Sequence, residues 1–145
     1  MMLAMRLQHA SIVLPLLLSA CAASGEGASH LAETSWRFTS IDGATPANSD
    51  AELTFEDDRI GANVGCNGMG GPWRTENGRL IAGPLIQTEM FCAGEVWGQE
   101  KAVSALLAAT PRYELEGDTL ILRSRGHVAE LERTAEQPDQ PSAGA

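Results

Sequence analysis

Three cysteines have the widest chemical potential in this 145-residue chain. Cys66 and Cys92 lie mid-chain, where they could form a disulfide, bind a metal ion as thiolates or take part in redox chemistry. They do not form a Cys-x-x-Cys pair, and only His30 and His127 lie beyond the N-terminal segment. Zinc takes four ligands, usually closely spaced. A disulfide is therefore favoured, with two free buried thiols and a metal or redox site as alternatives.

The N-terminal residues have the pattern of an export signal. Arg6 supplies a positive charge, and an apolar run over 11–18 follows it. The uncharged stretch over 10–20 is eleven residues long, whereas a membrane-spanning helix needs roughly 20. We therefore predict a cleaved signal peptide over residues 1–20, which takes no part in the fold.

The third cysteine ends this segment. Leu18-Ser19-Ala20-Cys21 resembles the bacterial lipobox, which implies cleavage before Cys21 and attachment of lipid to its thiol. The alternative is an ordinary signal with a chance cysteine. Because alanine rather than aspartate follows at position 22, the resemblance implies an outer-membrane lipoprotein of the cell envelope that faces the periplasm.

Composition excludes two kinds of partner. The formal net charge is −9, which argues against nucleic acid because a phosphate backbone demands a clustered positive face. It equally argues against attachment to anionic lipid by basic charge. Each CH₂ group of an acyl chain that is buried in the bilayer contributes about 0.8 kcal/mol to membrane binding. The predicted lipid at Cys21 would therefore hold the protein on a membrane without any basic patch.

Export also bears on the two central cysteines. An oxidising compartment favours a disulfide between Cys66 and Cys92. The ring of about 27 residues that it closes would stabilise the domain by roughly 3–4 kcal/mol in the chain-entropy model.

Other residues with chemical potential have simpler interpretations. The glycine-rich stretch over 65–72 lacks the lysine and Ser/Thr of a phosphate-binding loop. We predict an irregular loop whose glycines permit positive φ, with Asn67 as a turn former or, alternatively, a pocket residue. His127 is interpreted as a strand-edge residue. Glu100 could be a general acid or base, but a structural hydrogen bond to loop backbone near the disulfide is favoured. We predict no catalytic residue, cofactor or metal.

Short strands must position these residues, because period-two alternation dominates the chain. A helix is predicted over 95–109 and ends before Pro111, and Asn77-Gly78 predicts a hairpin turn with positive φ. Trp36, Phe55, Trp73 and Met90 are predicted core residues. The predicted strands are 36–41, 51–55, 59–64, 73–75, 79–81, 85–88, 112–116, 119–123 and 127–133.

The two cysteine motifs now indicate a family. Gly65-Cys66-Asn67-Gly68 and Thr88-Glu89-Met90-Phe91-Cys92, followed by Glu100, resemble the META domain family, to which the HslJ-like heat-shock lipoproteins belong. The resemblance implies an α+β fold, a small, partly open antiparallel β-barrel of about eight short strands with one α-helix packed against it. The residues that carry the family motif are Trp36, Gly65, Asn67, Thr88, Met90 and Glu100.

The predicted organisation and function follow from these features together. The chain divides into a signal peptide (1–20), the lipidated Cys21 with a flexible tether (21–32), the META domain (33–134) and a disordered tail (135–145). We expect a non-enzymatic, monomeric lipoprotein that serves cell-envelope maintenance or stress tolerance by binding a protein partner or envelope component. The alternative is a small-ligand or lipid carrier that uses the barrel interior.

Overall fold

A computed structural model describes residues 30–134. That part of the chain contains nine strands and one complete helix. The elements, in chain order, are β1 (Thr34–Ile41), β2 (Glu52–Phe55), β3 (Arg59–Asn63), β4 (Gly68–Glu76), β5 (Arg79–Ala82), β6 (Ile86–Gln87), α1 (Glu95–Ala108), β7 (Arg112–Glu116), β8 (Thr119–Ser124) and β9 (His127–Arg133).

Eight of the strands form an antiparallel barrel. Their order is β3-β2-β1-β9-β8-β7-β5-β4, and a pairing of β3 with β4 joins the two ends. β6 lies outside the barrel and pairs with β4. The thinnest seam is between β5 and β7, which share one residue pair, Arg79 with Arg112. The predicted fold class is confirmed, with β6 as an additional strand.

Alternation of side chains explains why these segments form strands. In β9, Ala129 and Leu131 point into the core, whereas Glu130 and Glu132 are exposed. Antiparallel strands that face water on one side have this period-two pattern, and β7 and β9 coincide with the predicted 112–116 and 127–133.

No helix within residues 30–134 is both long and apolar enough to cross a membrane.

The core lies between the barrel wall and α1, which packs against β1, β5, β8 and β9. Trp36 and Phe55 are buried there as predicted. Trp73 is half-buried and packs edge-on against Phe55, with ring centroids 4.8 Å apart. The buried apolar residues of the core are Leu31, Trp36, Phe38, Ile41, Ala51, Leu53, Phe55, Ile60, Ala62, Val64, Met69, Leu80, Val103, Leu106, Leu107, Leu120, Leu122, Ala129 and Leu131.

The folded part begins before the predicted boundary. The sequence assigned residues 21–32 to a tether, but Leu31 is fully buried and its carbonyl oxygen accepts a hydrogen bond from Thr34 Oγ1. Removing this side chain from water stabilises the domain, so Leu31 belongs to the core. The predicted signal peptide, the lipidated Cys21 and the predicted tail lie outside the described residues.

The glycine-rich stretch differs most from its prediction. An irregular loop was expected over 65–72, whereas residues 68–72 begin β4 and pair with β3. Of the four glycines expected to need positive φ, Gly65 alone has it, at 135°. A Cβ on Gly70 would lie 2.9 Å from the carbonyl oxygen of Ile60. Close approach of neighbouring backbones therefore requires glycine within the strand.

An acid–imidazole pair joins the end of β1 to the start of β9. His127 Nδ1 lies 2.8 Å from Asp42 Oδ2, and the Val128 N–H donates to Asp42 Oδ1 at 2.9 Å. Burial raises the pKa of Asp42, but the Val128 hydrogen bond and His127 outweigh it and hold this pKa below 3.8. His127 lies at the start of β9, which pairs with β1 on one side and β8 on the other.

This pair predicts a pH-dependent contribution to stability. Because the folded-state pKa of Asp42 is lowered from 3.8, its contribution is complete above that pH and is lost as the pH falls through the folded-state value. Asp42→Asn should lower the free energy of unfolding near neutral pH by less than about 1 kcal/mol, since the pair is partly exposed and screened. The difference between wild type and variant in the free energy of unfolding should shrink below pH 3.8.

Urea unfolding as a function of pH measures this effect. Asparagine tolerates the positive φ of 51° at this position, so the variant tests the charge rather than the backbone. Asp57→Asn, in the exposed turn between β2 and β3, is the matched control. A difference between wild type and Asp42→Asn in the free energy of unfolding that grows as the pH falls below 3.8 would contradict the predicted sign.

Candidate functional site

Cys66 and Cys92 form a disulfide with their Cα atoms 6.2 Å apart, as the sequence predicted. The bond ties the connection between β3 and β4 to the segment that precedes α1. Donor atoms of Cys66, Cys92 and Glu100 lie within 4.8 Å of one another. Metal ions bind the thiolate form of cysteine, which a disulfide does not offer, so this cluster is a cross-link beside a carboxyl group.

Asn67 is the centre of a buried hydrogen-bond network next to the disulfide. Its side chain is 1% exposed. Its Nδ2 donates to Glu100 Oε1 at 2.8 Å and to the Met90 carbonyl oxygen at 3.0 Å. Its Oδ1 accepts from Thr88 Oγ1 at 2.9 Å and from the Met90 N–H at 2.7 Å. The expectation of a turn former is therefore wrong, because this amide binds side chain and backbone more than twenty residues away.

Glu100 supplies the acceptors of the network from α1. The side chain is 1% exposed. Its Oε2 accepts from the Asn67 N–H at 2.8 Å, and its Oε1 accepts from Asn67 Nδ2 at 2.8 Å and Gln87 Nε2 at 2.9 Å. A buried carboxyl group is costly unless such donors satisfy it. The bond to the Asn67 backbone agrees with the structural role predicted for Glu100.

The family-motif residues divide between two places. Asn67, Thr88, Met90 and Glu100 share the network, whereas Trp36 lies in the core. The Trp36 indole donates from Nε1 to Thr34 Oγ1 at 2.7 Å. The guanidinium group of Arg133 lies 4.5 Å from the centroid of the Trp36 ring. This tryptophan therefore stabilises the barrel and does not line the site.

Gly65 fits the site only without a side chain. Its φ is 135°, and a Cβ would lie 2.9 Å from Asn48 Cβ. Gly65→Ala should therefore lower the free energy of unfolding by roughly 1–3 kcal/mol, through backbone strain and steric overlap. Gly126→Ala is the matched control, because Gly126 also has positive φ but open space around its Cβ. Equal losses in urea unfolding would contradict the steric contribution.

A patch of exposed apolar side chains covers the network. Phe91 is 90% exposed, Ile86 78%, Met90 57% and Trp97 39%. We call Met90, Phe91 and Trp97, which line one groove, the apolar patch. The Ile86 side chain faces the other side of β6, because successive strand residues point in opposite directions and Gln87 faces Glu100. Met90 was predicted to be a core residue, and that prediction is wrong. Asn67 binds the backbone of Met90 on both its N–H and its carbonyl oxygen, and the Met90 side chain remains largely exposed.

A groove of about 450 Å³ runs beside the apolar patch, between β6 with its following segment and the first half of α1. Lys101 Nζ lies 5.3 Å from the centroid of the Trp97 ring, and the Phe91 and Trp97 rings are 6.4 Å apart. The lining residues are Asn67, Gln87, Thr88, Glu89, Met90, Phe91, Trp97, Glu100 and Lys101.

Sequence reasoning missed much of this surface. Gln87 was assigned to a strand but not to the site, and Trp97 and Lys101 were not singled out. One signal was present, because Trp97 and Lys101 are four residues apart and so share a helix face. No local pattern joins Gln87 to Glu100, since their contact crosses from β6 to α1.

The site is an exposed surface on a fixed frame. The disulfide at Cys92 and the bonds of Asn67 to Thr88 and Met90 hold the strand side of the groove. Glu100 joins that side to the helix. Binding surfaces of this kind combine apolar anchors with a few oriented polar groups on rigid elements.

Comparisons with known proteins agree with this fold. Two structures solved by NMR are similar. One has a TM-score of 0.64 at 22% identity, over 72% of this chain and 92% of the other. The second, from Burkholderia xenovorans, has a TM-score of 0.62 at 18% identity, over 92% of this chain and 100% of the other. A search of curated proteins found no match. The model of the META domain matches residues 29–136, and the chain therefore belongs to the META domain family.

Proposed function

We propose that this protein is a membrane-anchored lipoprotein that binds a protein partner or envelope component through the apolar patch. It would act in cell-envelope maintenance or stress tolerance, as a monomer and without catalysing a reaction. The observation that carries this proposal is the exposure of Met90, Phe91 and Trp97 around one groove. Large contiguous apolar patches on soluble domains mark interaction sites.

The composition of the patch supports binding. Aromatic residues and methionine are enriched in interfaces, and a few aromatic anchors carry most of the binding free energy. Phe91 and Trp97 supply two such anchors beside the groove. Lys101, over the Trp97 ring, orients this ring through a cation–π contact.

The polar groups beneath the patch favour binding over catalysis. Both oxygens of Glu100 are occupied by hydrogen bonds from Asn67 and Gln87. A general acid or base must instead reach the proton of a substrate. The carrier alternative would need space inside the barrel, whereas the core residues pack there against α1. We therefore propose a binding module and no second function.

Lipid at Cys21 would give the module its location. We propose that Cys21 anchors the chain to the outer membrane, with the domain facing the periplasm. A tethered domain meets partners in the same membrane at a raised effective concentration. The acidic net charge of −9 leaves lipid, rather than basic charge, as the means of attachment.

Photo-crosslinking in living cells tests this function. A photoreactive amino acid at position 91 should give a discrete protein adduct, whereas the same group at position 121, on half-buried Ile121 of β8, should not. Cys21→Ser should remove incorporated fatty-acid label and reduce the adduct. An absent adduct at position 91, or equal adducts at both positions, would overturn the proposed binding role. Lipid label that persists in Cys21→Ser would overturn the anchor.

A further inference from the structure

We propose that the groove takes an extended peptide segment, which adds as a strand to the outer edge of β6 and seats an apolar side chain on the apolar patch. This inference rests on the proposed function and names the chemistry of the partner. The partner segment carries an apolar residue beside a basic one.

β6 offers an edge for strand addition. It is the last strand in the sheet order and pairs on one side with β4, through Gly70 with Ile86 and Met69 with Gln87. The Thr88 N–H extends that pairing by donating to the Gly68 carbonyl oxygen at 3.0 Å. Among the described strands, none pairs with the other side of β6. Such edges accept a strand from another chain unless something covers them.

The groove beside β6 holds about 450 Å³ and is bordered by β6, the irregular segment over 88–91 and α1. Side chains of an added strand alternate between two faces, so every second one can contact α1. Trp97 and Lys101 of that helix form the opposite wall. A strand on one side and a helix on the other is an arrangement that suits an extended peptide.

The size of the patch favours a peptide over a second copy of this chain. Its three side chains expose on the order of 400 Å², since each large apolar side chain contributes up to about 200 Å². A stable interface between folded domains buries about 800 Å² on each partner. The patch is therefore large enough for one or two peptide side chains but small for a dimer.

Charge favours a basic peptide over an anionic membrane. Glu89 lines the groove, while Lys101 already lies over Trp97. The whole chain carries a net charge of −9, which repels anionic lipid headgroups. The same charge attracts a lysine or arginine on a peptide, and that cation can stack on the exposed Phe91 ring.

Selection from a display library of random linear peptides tests the inference. The full chain is immobilised in detergent, and we expect selected peptides to contain alternating apolar positions with lysine or arginine. Phe91→Ser and Trp97→Ser should each weaken binding by about tenfold or more. Ile121→Ser is the matched control and should leave affinity within about twofold, because Ile121 lies on β8, away from the groove.

Backbone chemistry separates strand addition from other binding modes. Replacing single amides of a selected peptide by esters removes one N–H donor at a time. Because alternate residues of an added strand pair with the edge, we expect losses at every second position only. Amide hydrogen exchange at Gln87 should slow when the peptide binds, because the Thr88 N–H already faces β4 and alternate N–H groups of a strand point to opposite sides. Peptides that bind with anchors at helical spacing, or that tolerate every ester, would overturn strand addition.

Two outcomes distinguish this inference from the proposed function. A protein adduct at position 91 in cells without any selectable peptide would overturn the peptide groove and leave the binding function intact. Absence of that adduct, despite peptides that bind in vitro, would overturn the proposed function. If no peptide is selected and Phe91→Ser weakens binding of the Cys21→Ser chain to phosphatidylethanolamine–phosphatidylglycerol vesicles, the patch is a membrane surface and the inference is overturned.

Discussion

Glu100→Ala is expected to lower the free energy of unfolding by about 2–4 kcal/mol, because the substitution leaves buried donors unpaired and opens a cavity. The donors are the Asn67 N–H, Asn67 Nδ2 and Gln87 Nε2, all within 2.9 Å of the carboxyl oxygens. Urea unfolding measures the loss. Glu95→Ala, on the exposed first turn of the same helix, should cost less than about 1 kcal/mol.

The shape-conserving variant adds a test of hydrogen-bond direction. Glu100→Gln replaces one acceptor oxygen by an NH₂ group, which then faces a donor of Asn67 or Gln87. We expect a loss of about 1–3 kcal/mol, the cost of an unsatisfied buried polar group. Equal stabilities of Glu100→Gln and wild type would show that these contacts contribute little. The same result for Glu100→Ala and Glu95→Ala would contradict the network as a whole.

Coupling between the two central residues is also measurable. Asn67→Ala removes the Nδ2 donor to Glu100 Oε1 and keeps the backbone donor to Oε2, so the double variant should lose less stability than the sum of the single variants. Additive losses would show that Asn67 and Glu100 stabilise the domain independently. Because Asn67 also fixes the backbone of Met90, Asn67→Ala should further weaken binding at the apolar patch.

Removing the disulfide is expected to have the second large effect. The Cys66→Ser, Cys92→Ser double variant should lose roughly 3–4 kcal/mol of stability, because cross-linking a ring of about 27 residues restricts the unfolded chain. For a domain of this size, that loss corresponds to a melting temperature lower by roughly 10–20 °C. Thermal unfolding with and without dithiothreitol measures it.

The reductant provides the control. Dithiothreitol should lower the melting temperature of wild type towards that of the double variant and leave the double variant unchanged. Wild type that titrates two thiols under denaturing, non-reducing conditions would contradict the disulfide. Asn67 Nδ2 lies 3.4 Å from Cys92 Sγ, so we expect the disulfide and the network to stabilise the same segment over 88–92.

Most of the barrel could be predicted because its signals are local. Ala129 and Leu131 alternate with charged residues in β9, and the Asn77-Gly78 turn has the positive φ values, 52° and 72°, that its residue types favour. The disulfide was predictable from the predicted export signal and the two remaining cysteines. The stretch over 68–72 was not, because glycines carry no side-chain alternation that could mark a strand.

The site required the tertiary structure. Composition and spacing predicted the helix and favoured the disulfide, because these rest on local pattern and on cysteine number, and the resemblance to the META domain family implied the barrel and the set of family-motif residues. The burial of Asn67 and Glu100 rests on contacts across 33 residues of sequence, and the exposure of Met90 rests on contacts across 23. Only packing of β4, β6 and α1 brings these groups together, so it alone creates the groove and the apolar patch.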